Sequence, residues 1–176
     1  MKILIMGLPG SGKTALAIAL AERLRCTHFN ADDIRENINK DLGFSPEDRV
    51  EQARRMGHLC NLVSRWGEPV IADFVCPTEE TRKVFKADFV VWMDTISAGR
   101  YADTNALFVP PRQYNYRVTG FDRPASDHAR TIQLNLYSID MRLEEVSRGL
   151  PDLVQPGHHR SSFLWWLDTQ PHLHGD

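Results

Sequence analysis

Cysteine is scarce in this sequence. The 176-residue chain has three, Cys26, Cys60 and Cys76. The number is odd and no Cys-x-x-Cys pair occurs, which argues for reduced thiols in a cytoplasmic setting. Cys26 and Cys60 read as small buried residues on helices. A charge surplus is missing too. With 21 Lys and Arg against 23 Asp and Glu, net charge is -2 and the pI lies near 6.4. There is no global basic field to draw nucleic acid or a membrane surface, although a local basic cleft stays compatible with these totals. No apolar run approaches the ~20 residues of a membrane span. The opening MKILIMG is short, runs straight into a glycine loop and has no leader-cleavage pattern, so it reads as a strand. Repeats and low-complexity tracts are absent. What remains, 42% hydrophobic and 25% charged, suits one soluble domain with a real core.

Apolar runs and helical patterns alternate along the first half. KILIMG is compact and apolar, as a buried parallel strand should be. ALAIALAERLR reads as a helix and THFNADD as a short strand ending in acids. SPEDRVEQARRMGHLCNLVSRWG reads as a helix capped by Ser45, with Pro46 at its first position and Gly67 marking its end. EPVIADFV predicts a third strand, TEETRKVF a short helix and ADFVVWMD a fourth strand. This order predicts an α/β fold of the P-loop kinase type, three layers about a central parallel sheet. Periodicity fails over residues 95–123, rich in Gly, Pro, Tyr and Arg. A loop that long in a compact domain is a candidate lid. Ile132, Leu136, Ile139, Leu143 and Val146 then repeat at helical spacing and predict a long C-terminal helix. The domain is expected to span 1–149. The remainder, 150–176, is an extension holding Trp165, Trp166, His158, His159, His172 and His174. Its spacings make no convincing zinc site, and a packed extension or a partner-binding segment is the plainer reading.

GLPGSGKT, residues 7–14, matches G-x-x-x-x-G-K-[ST] between a predicted strand and a predicted helix, the context that makes the pattern meaningful. Gly10, Ser11 and Gly12 bring backbone N–H groups to phosphate oxygens. Lys13 supplies a point charge to the β- and γ-phosphates, and Thr14 offers a hydroxyl to Mg²⁺. ATP with Mg²⁺ is the expected cofactor pair. Asp73, in VIADF, sits where many P-loop enzymes keep an acid linked to Mg²⁺.

A phosphate loop does not say what receives the phosphate. Asp32 and Asp33 fall at the expected end of the second strand, where α/β sheets place their chemistry. Transfer to a hydroxyl needs a carboxylate that orients the nucleophile and takes its proton. Asp32 is the candidate, and Arg35 is placed to hold an anionic group of the acceptor. Asp33, Arg54 and Arg55 read as surface ion pairs, each worth little.

GLPGSGKT, NADDIRENINKDLGFSPEDR and FVCPTEETR together resemble the adenylyl-sulfate kinase family over about the first half of the chain. The DLGFSPEDR run is far more specific than any phosphate loop. The resemblance implies that Asp32 is the carboxylate credited with catalysis and that Arg35, Phe44 and Arg49 grip the acceptor, Phe44 by stacking on adenine. Gln52 stands where the family has Asn, Cys76 replaces a phosphate-facing Ser, and Thr78 replaces an aromatic. The family's lid runs are not recognisable. Arg100, Phe108, Arg112 and Arg117 are candidates to close over ATP and sandwich a base.

The resemblance implies ATP-dependent phosphorylation of the 3'-hydroxyl of adenylyl sulfate, a small nucleotide. A related kinase acting on a nucleic-acid hydroxyl, such as a polynucleotide end or a 5-hydroxymethyl-pyrimidine in DNA, is the alternative. A nucleotide-binding module without an acceptor ranks last, having no use for the Asp32 segment. A homodimer is compatible with these features.

Overall fold

The structure, a computed structural model, describes residues 1–149, with side chains through residue 139. The Trp- and His-rich extension and the side chains of Leu143 and Val146 lie outside it. In chain order the elements are β1 (Lys2–Gly7), α1 (Lys13–Leu24), β2 (Thr27–Asn30), α2 (Ala31–Asn37), α3 (Pro46–Ser64), β3 (Val70–Phe74), α4 (Glu79–Phe85), β4 (Phe89–Met93), α5 (Ala102–Leu107), β5 (Tyr116–Val118) and α6 (Ala125–Gly149). The five strands form one sheet in the order β2-β3-β1-β4-β5, and every pairing is parallel.

β1 lies at the centre because every one of its residues is buried. Successive side chains leave a strand on opposite faces. Ile3 and Ile5 accordingly meet Leu16, Leu20 and Leu24 of α1 and Ala129, Ile132 and Leu136 of α6. Leu4 and Met6 meet Ala53, Met56 and Cys60 of α3 and Phe85 of α4 on the other side. The result is the three-layer fold the alternating pattern predicts. Full burial of each of these leucines contributes about 1.5–3 kcal/mol against exposure. The helical stripe from Ile132 to Ile139 packs against α1. No helix among the described residues is long and apolar enough to cross a membrane.

Two helix starts form as their cap residues dictate. Ser45 accepts a hydrogen bond from Asp48 N at 3.1 Å, with Pro46 at the first helical position. Thr78 and Thr81 form a reciprocal capping box at α4. The cap at Thr78 thus serves the fold, at a position where the resemblance leads one to expect an aromatic.

Two expectations are corrected. The acids do not end the second strand: β2 stops at Asn30, whose side chain accepts from Asp32 N at 3.0 Å and Asp33 N at 3.1 Å. That cap turns the chain into α2 and puts both acids in its first turn, where the helix dipole favours negative charge. The span 95–123 is also not one loop. It holds α5 and the edge strand β5, which pairs Tyr116, Arg117 and Val118 with Val91, Trp92 and Met93.

Candidate active site

The phosphate loop leaves β1 at Gly7 through a crowded turn. A Cβ on Gly7 would lie 2.4 Å from Met93 O, so no larger residue fits there. Gly12 caps α1 in the left-handed region, with φ of 89°, a conformation that costs glycine nothing. Thr95 Oγ1 donates to Ser11 O at 2.8 Å and pins the crest of the loop. Ser11 itself is fully buried. Its hydroxyl faces inward, so the loop crest presents backbone rather than this side chain. Lys13 Nζ donates to Leu8 O at 3.0 Å. Burial lowers the Lys13 pKa below its ordinary 10.5, while Asp73 and Asp32 act to raise it. The ammonium therefore sits within electrostatic reach of both carboxylates.

Behind the loop lies a compact polar network. Asp73, on β3, is 2% exposed. Its Oδ2 accepts from Thr14 Oγ1 at 2.7 Å. Asn30 Nδ2 donates to its two oxygens at 3.0 and 3.2 Å, and His28 Nε2 lies 2.6 Å from Oδ1. Parallel register explains the meeting, because Asn30 and Asp73 are paired residues of β2 and β3. Among the described residues, no group of three or more His, Cys, Asp or Glu side chains could hold a metal ion by itself. The donors at the cavity floor are hard oxygens: the Thr14 hydroxyl and the Asp32 and Asp73 carboxylates. That set fits Mg²⁺, which takes one or two carboxylates and completes its shell with phosphate oxygens and water. By accepting the Thr14 hydrogen bond, Asp73 turns that hydroxyl's oxygen outward, with one lone pair toward Asn30 Nδ2 at 3.2 Å and the other available to a cation.

One cavity of about 890 Å³ joins the loop to the acceptor segment. It is lined by Gly10, Gly12, Lys13, Thr14 and Asp73 around the loop, by Asp32, Arg35, Glu36, Phe44 and Arg49 of the acceptor segment, and by a rim of Arg100, Tyr101, Asp103 and Thr104 from the α5 segment. Phe44 is 64% exposed, too open for a core residue. Arg35 lies 4.7 Å from its ring centre and Arg49 5.6 Å, both within cation–π range. The guanidiniums are held from behind. Arg35 donates to the carbonyls of Leu42 and Gly43. Arg49 donates to Phe44 O at 3.0 Å, Thr104 Oγ1 at 3.0 Å and Asp103 Oδ2 at 3.2 Å. Burial, and then the Arg49 charge, lower the Arg35 pKa. Two cations share one wall, an arrangement suited to an anion.

Other predicted residues fall off the wall. Gln52 is buried and spans Asn39 Nδ2 at 2.8 Å and Ala31 O at 3.0 Å, tying α3 to the start of α2. Cys76 is 1% exposed with its thiol 3.5 Å from Thr81 Oγ1. Phe108 is partly buried against the core layer that holds Met56, Cys76 and Phe85. Arg117 lies over Trp92 and pairs with Asp94. Arg54 and Arg55 form the surface ion pairs expected of them, with Glu51 and Asp41. Sequence reading overlooked Asn30 and His28, and the rim residues Tyr101, Asp103 and Thr104. An Asn before an acidic pair is a cap signal that could have marked Asn30. Nothing local marks the others.

Comparisons with known sequences agree on one family. The sequence profile described as Adenylylsulphate kinase matches residues 1–108. An adenylyl-sulfate kinase of Bacillus pumilus is 39% identical over 172 residues, covering 87% of this chain and 84% of the relative. One from Staphylococcus carnosus is 41% identical over 162 residues, covering 83% and 81%. Among solved structures, the Mycobacterium tuberculosis APS kinase in complex with AMPPNP and APS superposes with a TM-score of 0.70 at 24% identity, over 77% of this chain and 96% of that one. The shikimate kinase of Aquifex aeolicus shares the fold with a TM-score of 0.53 at 16% identity, over 80% and 99% of the two chains. With more than half of its length inside the family profile and relatives this similar over most of both chains, the chain belongs to the adenylyl-sulfate kinase family.

Proposed function

We propose that this chain transfers the γ-phosphoryl group of ATP to the 3'-hydroxyl of adenylyl sulfate. One observation carries the reading: Asp32 faces the same cavity as the phosphate loop, with the Arg35–Phe44–Arg49 group beside it. Loop N–H groups and Lys13 hold the triphosphate. Thr14, oriented by Asp73, would hold Mg²⁺, which neutralises charge on the phosphates. Phe44 offers a face to a purine, and Arg35 and Arg49 offer charge to a phosphosulfate. Asp32 accepts the hydroxyl proton as that oxygen bonds to the γ-phosphorus. The bond from that phosphorus to the bridging oxygen breaks, and ADP leaves with the electron pair. Arg100, on the rim, is assigned to the phosphates.

Cys76, Gln52 and Phe108 enter this reading only as supports behind the wall. The cytoplasmic placement and a homodimeric assembly are retained as parts of the proposal. Free thiols at Cys26, Cys60 and Cys76 support the first. No feature of the site favours a nucleic-acid acceptor.

The test is a coupled ADP-release assay with adenylyl sulfate. Lys13→Ala and Asp32→Asn should each lower turnover by about 10²-fold or more with the fold intact by circular dichroism. Wild-type protein that leaves adenylyl sulfate unphosphorylated while phosphorylating another alcohol would remove the assignment of acceptor. Near-normal turnover in either variant would remove the role given to that residue.

A further inference from the structure

We propose that Asn30 is a positioning residue for phosphoryl transfer, a single amide that fixes the spacing between the helix bearing Asp32 and the Thr14–Asp73 couple. The inference rests on the reading of Asp32 as the proton acceptor. Asn30 is the last residue of β2 and the N-cap of α2. Its two ends do different things. The oxygen accepts from Asp32 N and Asp33 N at 3.0 and 3.1 Å. The nitrogen donates toward both Asp73 oxygens, at 3.0 and 3.2 Å, and lies 3.2 Å from Thr14 Oγ1. Chemistry fixes this orientation. Backbone N–H groups need an acceptor and a carboxylate needs a donor, so a flipped amide would lose both sets of bonds.

Capping alone does not require Asn. Ser, Thr and Asp cap helices about as well. A second carboxylate at this position would stand about as close to Asp73 as the amide does, and like charges at that separation repel. A serine or threonine oxygen sits nearer the backbone, reaching the helix N–H groups but not Asp73. Of the good capping side chains, only Asn combines an acceptor with a donor at the required separation. Asp73 in turn is anchored independently by His28 Nε2 at 2.6 Å. The Thr14 side of the site therefore has a second support, whereas the side-chain hydrogen bonds that join Thr14 and Asp73 to the first turn of α2 run through Asn30. Catalytic groups misplaced by about 1 Å can lose ~10²-fold in rate, so the link matters for turnover more than for ATP binding.

The experiment compares Asn30→Ala, Asn30→Ser, Asn30→Thr and Asp32→Asn by thermal melting and by steady-state kinetics with ATP and adenylyl sulfate. Asn30→Ala should lower both Tm and kcat. Asn30→Ser and Asn30→Thr, which keep the cap, should restore Tm. Their kcat should stay about ten-fold or more below wild type, with the KM for ATP within about three-fold. A cap with no further role predicts that kcat recovers together with Tm. Near-normal kcat in either capped variant, with Asp32→Asn inactive, would overturn the inference alone. Normal turnover by Asp32→Asn would overturn the reading of Asp32 on which it rests.

Discussion

Counter-ions decide what single residues do in this cavity. Arg35 and Arg49 flank the same ring, and their charges oppose one another. Arg49 is answered by Asp103, which is itself 70% exposed while the Arg49 side chain is 10% exposed. An acceptor anion must compete with this internal carboxylate. Asp103→Asn removes the competitor and keeps a side chain that still accepts a hydrogen bond. The KM for adenylyl sulfate should then fall by about two- to five-fold, the scale of a half-exposed pair, with kcat and the KM for ATP unchanged. Steady-state kinetics at two salt concentrations would check this, because salt should shrink the difference. A rise in acceptor KM would mean that Asp103 holds Arg49 in its working position instead. The same scale shows why parts of the site are legible in the sequence and parts are not. Asp32, Arg35, Phe44 and Arg49 belong to one contiguous run, so their proximity is largely a local matter. Asn30 and His28 gain their roles from Asp73, more than 40 residues away, through a strand register that no local spacing displays. Gln52 and Cys76 resemble site residues by position, but burial turns them toward the scaffold.

Three helices of this fold, α2, α3 and α4, start where a side chain closes the first turn. The reciprocal pair at α4 is the clearest case: Thr81 N donates to Thr78 Oγ1 at 3.1 Å, and Thr78 N to Thr81 Oγ1 at 3.1 Å. The helix it starts has seven residues, too few to persist without tertiary support. Phe85 at its end is fully buried against α3. Thr78→Ala leaves that burial intact and removes the cap. It should lower unfolding free energy by about 1 kcal/mol, with Thr78→Ser close to wild type. Urea titration with an unchanged slope would show this. Loss of kcat beyond the loss of folded protein would place Thr78 in the reaction. Capping signals make α3 and α4 readable from the amino-acid sequence. α5 and β5 lack such help. Tyr101 precedes α5 without a side-chain cap, and β5 has three residues, too short for alternation to register. Pairing with β4 creates β5, and that pairing is a property of the assembled sheet.

At the scale of the domain, the described residues form two apolar layers that share one sheet, and they are coupled through β1, whose alternate residues belong to each. Local opening on one side therefore exposes the sheet that the other side needs. The thiols offer a direct test. Cys60 on α3 and Cys76 after β3 lie in the same layer, 0% and 1% exposed. Burial pushes each thiol up to about 12. A thiol with a pKa raised by burial ionises only when it reaches water, so at pH 8 a native-state thiolate fraction of ~10⁻⁴ leaves almost nothing to react. In a Cys26→Ser background, Ellman's reagent should label Cys60 and Cys76 at one common rate. That rate should rise with urea as steeply as global unfolding does. Raising pH from 7 to 9 should speed labelling in proportion to the ordinary thiol titration of the opened chain, not of a group near 12. If Cys76 reacts faster than Cys60 with little dependence on urea, the loop between β3 and α4 opens by itself. The cavity wall at Phe74 and Val75 would then be a separate unit of stability, and the two layers would not act as one.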